Sequence, residues 1–228
     1  VGPDTGTDQW EHCSGYYAGD SSLIGFSHTH LSGTGCPDMG DIMFMPVTGD
    51  IKFSRGDENN TSTGYRSRFS HDSEVAHPGY YKVVLEDYNI KVELTSTERT
   101  GFHRYTYPQS DAAGIIIDMS HGIGDTTVES GLYLLNDTIV AGKRRSTGFV
   151  NDHTWYFYAV LSKPVEQVVS YADSLISGAT DVQGVNTKFF LRFRTAKDEQ
   201  VMVKAALSTV SIEGARRNLE METKGLEF

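Results

Sequence analysis

The sequence is poor in cysteine, has no long apolar run and carries no excess of positive charge. Two cysteines, Cys13 and Cys36, are too few for a disulfide scaffold. One bridge between them stays open, and a single pair does not settle the redox compartment. No apolar stretch approaches the roughly 18 residues that a membrane-spanning helix needs, so membrane insertion is not expected. Lys and Arg number 20 against 30 Asp and Glu, a formal net charge of −10. A surface this acidic repels phosphate backbones and anionic lipid, which argues against nucleic-acid and membrane-surface roles. Internal repeats and low-complexity segments are also missing. Val1-Gly2-Pro3-Asp4 has no initiator Met and no signal-peptide pattern, and Gly225-Leu226-Glu227-Phe228 shows no evident tail. Together these ends read as an excised piece of a longer protein, in which case the missing signal peptide says nothing about secretion.

What is present supports a folded β protein. Hydrophobic residues make up 38% and aromatics 11% of the 228 positions, enough to supply a core. The 23 glycines and the many Tyr and Phe suggest turns between short strands. Alternation dominates from about Asp41. Ile42 to Pro46 reads as a strand that Pro46 ends. Tyr81, Val83 and Leu85, then a turn at residues 86–89, then Ile90, Val92 and Leu94, read as a hairpin with one buried face. His103, Tyr105 and Tyr107 share one face of a strand, and Ala113 to Met119 reads as a central strand. Trp155 to Leu161 is apolar on both faces, as expected between two layers. Phe189, Leu191 and Phe193, and then Val201 to Leu207, continue the series. A helical period appears only at the end, with Ser211 as cap and Ile212, Ala215 and Leu219 on one face. The expected fold is all-β, a large antiparallel β-sandwich with a short C-terminal helix.

The first forty residues carry the chemistry. Residues 25–41 hold Ser27, His28, His30, Cys36 and Asp38 among glycines at 33, 35 and 40, which let backbone approach a ligand. His28 and His30 project from one face of an extended segment, so with Cys13, Cys36 or Asp38 they could bind zinc. The cysteines lack the short paired spacing of a structural zinc site, and either His alone reads as well as a loop-stiffening hydrogen-bond donor. Ser32-Gly33-Thr34-Gly35 has no following Lys, a weak signal for a phosphate cradle. A Cys nucleophile beside His28 or His30 is a further reading that spacing alone does not establish. Trp10 lies in a polar stretch from Asp8 to Tyr16, where an indole suits the C–H face of a sugar; its plainer reading is a core Trp at a domain edge. Asp38 and Asp41 read as loop-capping or hydroxyl-binding groups. Residues 71–74 with 77–81 make a polar rim or a turn. Residues 57–64 make the clearest exposed loop. Lys143-Arg144-Arg145 reads as a solvated strand end.

Several strings are family-specific. Cys13-Ser14-Gly15-Tyr16, the unbroken run from Gly25 to Cys36, and Asp38-Met39-Gly40-Asp41 resemble the N-terminal domain of bacterial α-mannosidases of glycoside hydrolase family 92. The resemblance continues through residues 76–81, 98–105 and 211–215, and so covers nearly the whole chain. His12 stands where the motif carries an aromatic residue, and Pro37 where Gly is more usual.

The resemblance implies a galactose-mutarotase-like supersandwich over residues 1–210, with residues 211–228 opening a linker to an absent C-terminal (α/α)-barrel. It implies an inverting, calcium-dependent exo-α-mannosidase, many family members preferring α-1,2 links. The acid and base carboxylates belong to the barrel, so no catalytic residue is expected here, and the calcium is held mainly by the barrel. Trp10, His28, His30, Cys36 and Asp38 are placed on the wall that the β domain lends to the substrate pocket. The implied partners are a mannose-containing oligosaccharide and the barrel of the same polypeptide. The implied location is the periplasm, the cell surface or the medium of a bacterium. A second class of function fits the same residues: a free-standing carbohydrate-binding module without hydrolase activity.

Overall fold

The alternating runs fold as strands because each can bury one face. A computed structural model describes residues 1–7, 9–31, 33, 35–226 and 228. Among the described residues, one sheet has seven strands, in the order Gly2–Asp4, Gly25–Ser27, Met43–Thr48, Ser110–Asp118, Thr187–Thr195, Gln167–Ala172 and Leu175–Ser177. A second has nine, in the order Asp181–Gly184, Thr126–Asn136, Ile139–Thr147, His153–Leu161, Glu199–Ser208, Thr100–Tyr107, Ile90–Ser96, Tyr80–Leu85 and Val75–His77. All neighbours in both sheets run antiparallel. The fold is thus an antiparallel β-sandwich. Ile115, Phe189 and Leu191 of the first sheet and Val92, Tyr105, Phe157 and Val203 of the second belong to one buried core.

Local chemistry explains the details. In the hairpin, Asn89 takes the left-handed conformation (φ 50°) that closes the turn between Leu85 and Ile90. Pro46 does not end its strand, contrary to the sequence reading. It sits within Met43–Thr48, opposite Ile115, while the neighbour on its other side pairs only at Phe44. Its missing N–H therefore faces a stretch where no ladder runs.

The helix spans Ile212–Glu222, and the Ser211 hydroxyl caps it by accepting from Gly214 N at 3.0 Å. Ala215 and Leu219 are buried as the helix packs on His153–Leu161 and Glu199–Ser208. The strand of Trp155 is thereby covered on both faces, by core within and helix without. Glu222 closes the helix onto the turn before Thr100, accepting from Thr97 Oγ1 (2.5 Å), Arg99 N (2.9 Å) and Arg99 Nε (2.6 Å). One end of the sandwich then gathers the exit of Gly25–Ser27, the entries of His153–Leu161 and Thr100–Tyr107, and the exit of Glu199–Ser208. The candidate residues lie at that end.

Candidate functional site

A buried ionic cluster holds this end together. Arg144 has no solvent exposure at all. Its guanidinium pairs with the Asp41 carboxylate, with both oxygens of Asp125 (2.7 and 2.9 Å), and with Ser146 Oγ (2.9 Å) and Met119 O (3.0 Å). The expectation of a solvated strand end is therefore corrected. Strand alternation turns Lys143 and Arg145 outward to Glu129 and Asp152, and turns Arg144 inward, where two carboxylates compensate its charge. Burial alone would raise the Asp41 carboxyl, but His153, Arg144 and Thr29 hold it below its ordinary range. Asp41, in turn 3.8 Å from His153 Nε2, raises that imidazole.

The ions fix a strained loop. Met39 (φ 67°) and Ile42 (φ 60°) both occupy the left-handed region, which is an outlier for a β-branched residue. Asp41 bonds Thr29 Oγ1 at 2.7 Å and receives His28 N on its carbonyl at 3.0 Å. His28 Nδ1 reaches Ile42 O at 2.6 Å. Asp38, fully buried, accepts from Met39 N at 2.7 Å and from Val150 N. It thus ties the loop before Asp41 to the loop after Thr147.

The histidines form two ordered chains. His28 Nδ1 faces a carbonyl and must donate, so His28 Nε2 carries a lone pair. That lone pair accepts from His103 Nε2 at 2.9 Å, and His103 Nδ1 accepts from Tyr105 OH at 2.8 Å. Burial pushes both imidazoles down, His28 to about 3 and His103 well below the ordinary value. His30 Nε2 meets Ser27 Oγ (3.0 Å) and Asp4 Oδ1 (2.9 Å), and the sealed His121 meets Asp4 Oδ2 at 2.9 Å. Burial opposes the charge on Asp4, but His121 and His30 hold its carboxyl far below the usual range.

The five candidate residues fall into two groups. His28 and His30 line a cavity of about 510 Å³ together with Met39, Arg99, Trp155 and Asn218. Trp10, Cys36 and Asp38 are not on that cavity. Trp10 leads a short turn, Trp10–His12, and is 71% exposed, so it is not a core residue. His12 is buried below it and bonds Asp20 Oδ2 at 2.6 Å, which locks the turn. The indole lies over Gly35, where an added Cβ would come 2.5 Å from Trp10 Cη2. Gly35 also has φ 68°. Gly35→Ala is therefore expected to displace the indole and change Trp fluorescence without global unfolding; an unchanged spectrum counts against this seating. Cys36 follows at partial burial, and no disulfide joins it to Cys13. Ser32 and Thr34 of the proposed phosphate cradle, and Asp8 of the Trp10 stretch, lie outside the described residues.

The zinc reading does not assemble here. Among the described residues, His28, His30 and Cys36 do not converge to ligand distance; the group that does is Asp38, Asp125 and His153. Both oxygens of Asp38 already take backbone N–H groups and both of Asp125 take Arg144. Calcium asks for six to eight oxygen ligands, so these residues do not fit it. Asp4, His103, His121, Asp125, Arg144 and His153, which position the loop, were not singled out from sequence as site residues. The signal for His103 was its shared face with Tyr105 and Tyr107; for Arg144 it was alternation through Ile139–Thr147.

Known proteins share this architecture. A family model described as the glycosyl hydrolase family 92 N-terminal domain matches residues 1–208. A family GH92 α-mannosidase from Bacteroides thetaiotaomicron, solved alone and with mannoimidazole, superposes at TM-score 0.95 with 40% identity, covering 99% of this chain and 31% of that one. A GH92 inverting mannosidase from strain VPI-5482 of that species gives 0.82 at 26% identity, covering 99% of this chain and 29% of the other. An uncharacterized secreted glycosidase of Arthroderma benhamiae is 29% identical over 142 residues, which is 58% of this chain and 18% of that protein. This chain thus spans less than a third of the length of these relatives. No helix among the described residues is long and apolar enough to cross a membrane. With its sandwich and its sequence in agreement, the chain belongs to glycoside hydrolase family 92, as that family's N-terminal domain.

Proposed function

We propose that this domain is the β half of an inverting exo-α-mannosidase of the periplasm or cell exterior, acting on α-linked mannose, with α-1,2 links as the first candidates. Residues 1–210 form the sandwich, and residues 211–228 open the linker to an (α/α)-barrel. The observation that carries this reading is the outward seating of Trp10 on Gly35, beside a loop clamped by buried ions. An indole held out in solvent offers a flat apolar face to the C–H side of a hexose. Asp38 and His28 hold the loop in place, and His30 borders the adjoining cavity.

Inversion needs an acid and a base on opposite sides of the sugar, roughly 6.5–9.5 Å apart, with water between. This domain supplies the wall that fixes the sugar, while the barrel supplies both carboxylates and the calcium site. The test compares the 228-residue chain with the barrel-containing protein on α-1,2-mannobiose. The long protein is expected to release β-mannose first and to lose activity with chelator, while the short chain shows no turnover. In the long protein, Trp10→Ala is expected to lower kcat/KM by about tenfold or more. Calcium-dependent hydrolysis by the 228-residue chain alone would falsify the division of labour.

A further inference from the structure

A second concavity, of about 410 Å³, is lined by Pro3, Tyr16, His71, Glu74, Ala76 and Tyr81 and shares no residue with the His28–His30 cavity. That size lies within the range of small-molecule sites. The edge strand Gly2–Asp4 separates the two. Asp4 points to His30 and His121, a Cβ on Gly2 would lie 3.5 Å from His30, and Pro3 between them lines the second groove.

The groove is built around one carboxylate. Glu74 accepts from Tyr81 OH (2.6 Å), Tyr16 OH (3.0 Å) and His71 Nδ1 (2.7 Å). His71 Nε2 meets the Asp20 carbonyl at 3.1 Å. The Glu74 carboxylate and the Asp20 carbonyl both accept, so the hydrogen bond to Glu74 above all raises the His71 imidazole and favours its protonated form. The hydrogen bonds of Glu74 are thus taken up within the protein, and both phenols are held in place before any ligand arrives, which lowers the entropy cost of binding. The walls are two tyrosines, a proline and an alanine. Each phenol spends its O–H on Glu74, so the open hydrogen-bonding capacity is that of the phenol oxygens as acceptors.

We propose that this groove binds a neutral hexopyranose unit, a second contact for the glycan apart from the Trp10 wall. Apolar ring walls suit the C–H face of a sugar, and phenol oxygens suit its hydroxyl donors. An ammonium ligand is disfavoured because the one carboxylate is already compensated. Asp20 links the two places: its carboxylate holds His12 under the Trp10 turn, and its carbonyl holds His71. The inference rests on the mannosidase reading only for the identity of the sugar.

The test is titration of the 228-residue chain with methyl α-mannoside, followed by NMR of the tyrosine rings. Tyr16 and Tyr81 are expected to shift with a Kd on the order of millimolar. Ala76→Trp fills the groove from an exposed strand position and should weaken that response about tenfold or more; Trp10→Ala should leave it in place. Silence of both tyrosines up to roughly 50 mM sugar overturns the proposal. So does a response indifferent to Ala76→Trp, or one to choline in place of hexosides. A groove that answers methyl glucoside but not methyl mannoside keeps this proposal and counts against mannose as the substrate.

Discussion

Arg144→Met is expected to lower the stability of this domain by roughly 3–5 kcal/mol, the scale on which breaking a buried ion pair from one side acts. The guanidinium lies at zero exposure between Asp41 and Asp125, which are also sealed at the side-chain level. Met restores most of the volume but takes the guanidinium from both carboxylates, leaving only the more distant His153 near them, and takes the Arg144 donor from Ser146 and the Met119 carbonyl. In a domain of this size each kcal/mol moves Tm by about 2–4 °C, so a fall of roughly 6–20 °C follows. Arg145→Met is the control. Its partner Asp152 is solvated, so water screens the pair and its loss should be small. Adding Asp125→Asn to Arg144→Met should recover part of the loss, since one orphaned charge goes with it. Equal, small losses for Arg144→Met and Arg145→Met in thermal melts would remove the buried cluster from the account of this loop.

That contrast shows where sequence runs out. Lys143, Arg144 and Arg145 form one basic triplet, and the general preference of charge for water places all three outside. Only the partners on other strands decide that Arg144 turns in, and Asp41 lies 103 residues away. The strands themselves were legible because alternation is local: the 80–94 hairpin, the shared face of His103, Tyr105 and Tyr107, and the cap at Ser211 all needed nearby residues alone. Pro46 misled for the opposite reason, since its cost depends on whether a neighbour reaches that side of the strand. At the site, the Gly25–Cys36 run marked the loop. Trp10, set against a core reading, stands out in solvent. What the sequence did not indicate was the division of labour within the loop. His28 spends both nitrogens on Ile42 and His103, and Asp38 spends both oxygens on backbone. These side chains hold the loop in position, whereas the indole presents itself outward.

Acid should unfold this domain earlier than its carboxylates alone would. His28 and His103 are neutral inside and pushed down by burial, and the sealed His121 is pushed down as well. In the unfolded chain each titrates near 6.5. Below that value the unfolded state takes up protons that the folded state refuses, so stability is fully present above about pH 6.5 and falls as pH drops toward the folded values. By about pH 4.5 His28 alone, held at about 3 in the folded state, accounts for a loss of up to roughly 2–3 kcal/mol, moderated by the ring edge it leaves open to the cavity, and His103 adds to it in the same direction. His153 runs the other way: its raised value adds stability below 6.5 that is lost as pH climbs through it, a partial offset. Asp4 and Asp41 are held low, so their contribution is lost only below about 3.8, outside this window. Urea midpoints at about pH 7.5, 5.5 and 4.5 separate the two sets of groups. A decline already in progress at 5.5 is the histidine signature, and midpoints that stay level to 4.5 would refute it. His103→Phe removes a buried proton acceptor. It should lower stability at neutral pH, because Tyr105 and His28 lose their partner, yet flatten the slope between 6.5 and 4.5. A merely structural role for His103 would lower the curve without changing that slope.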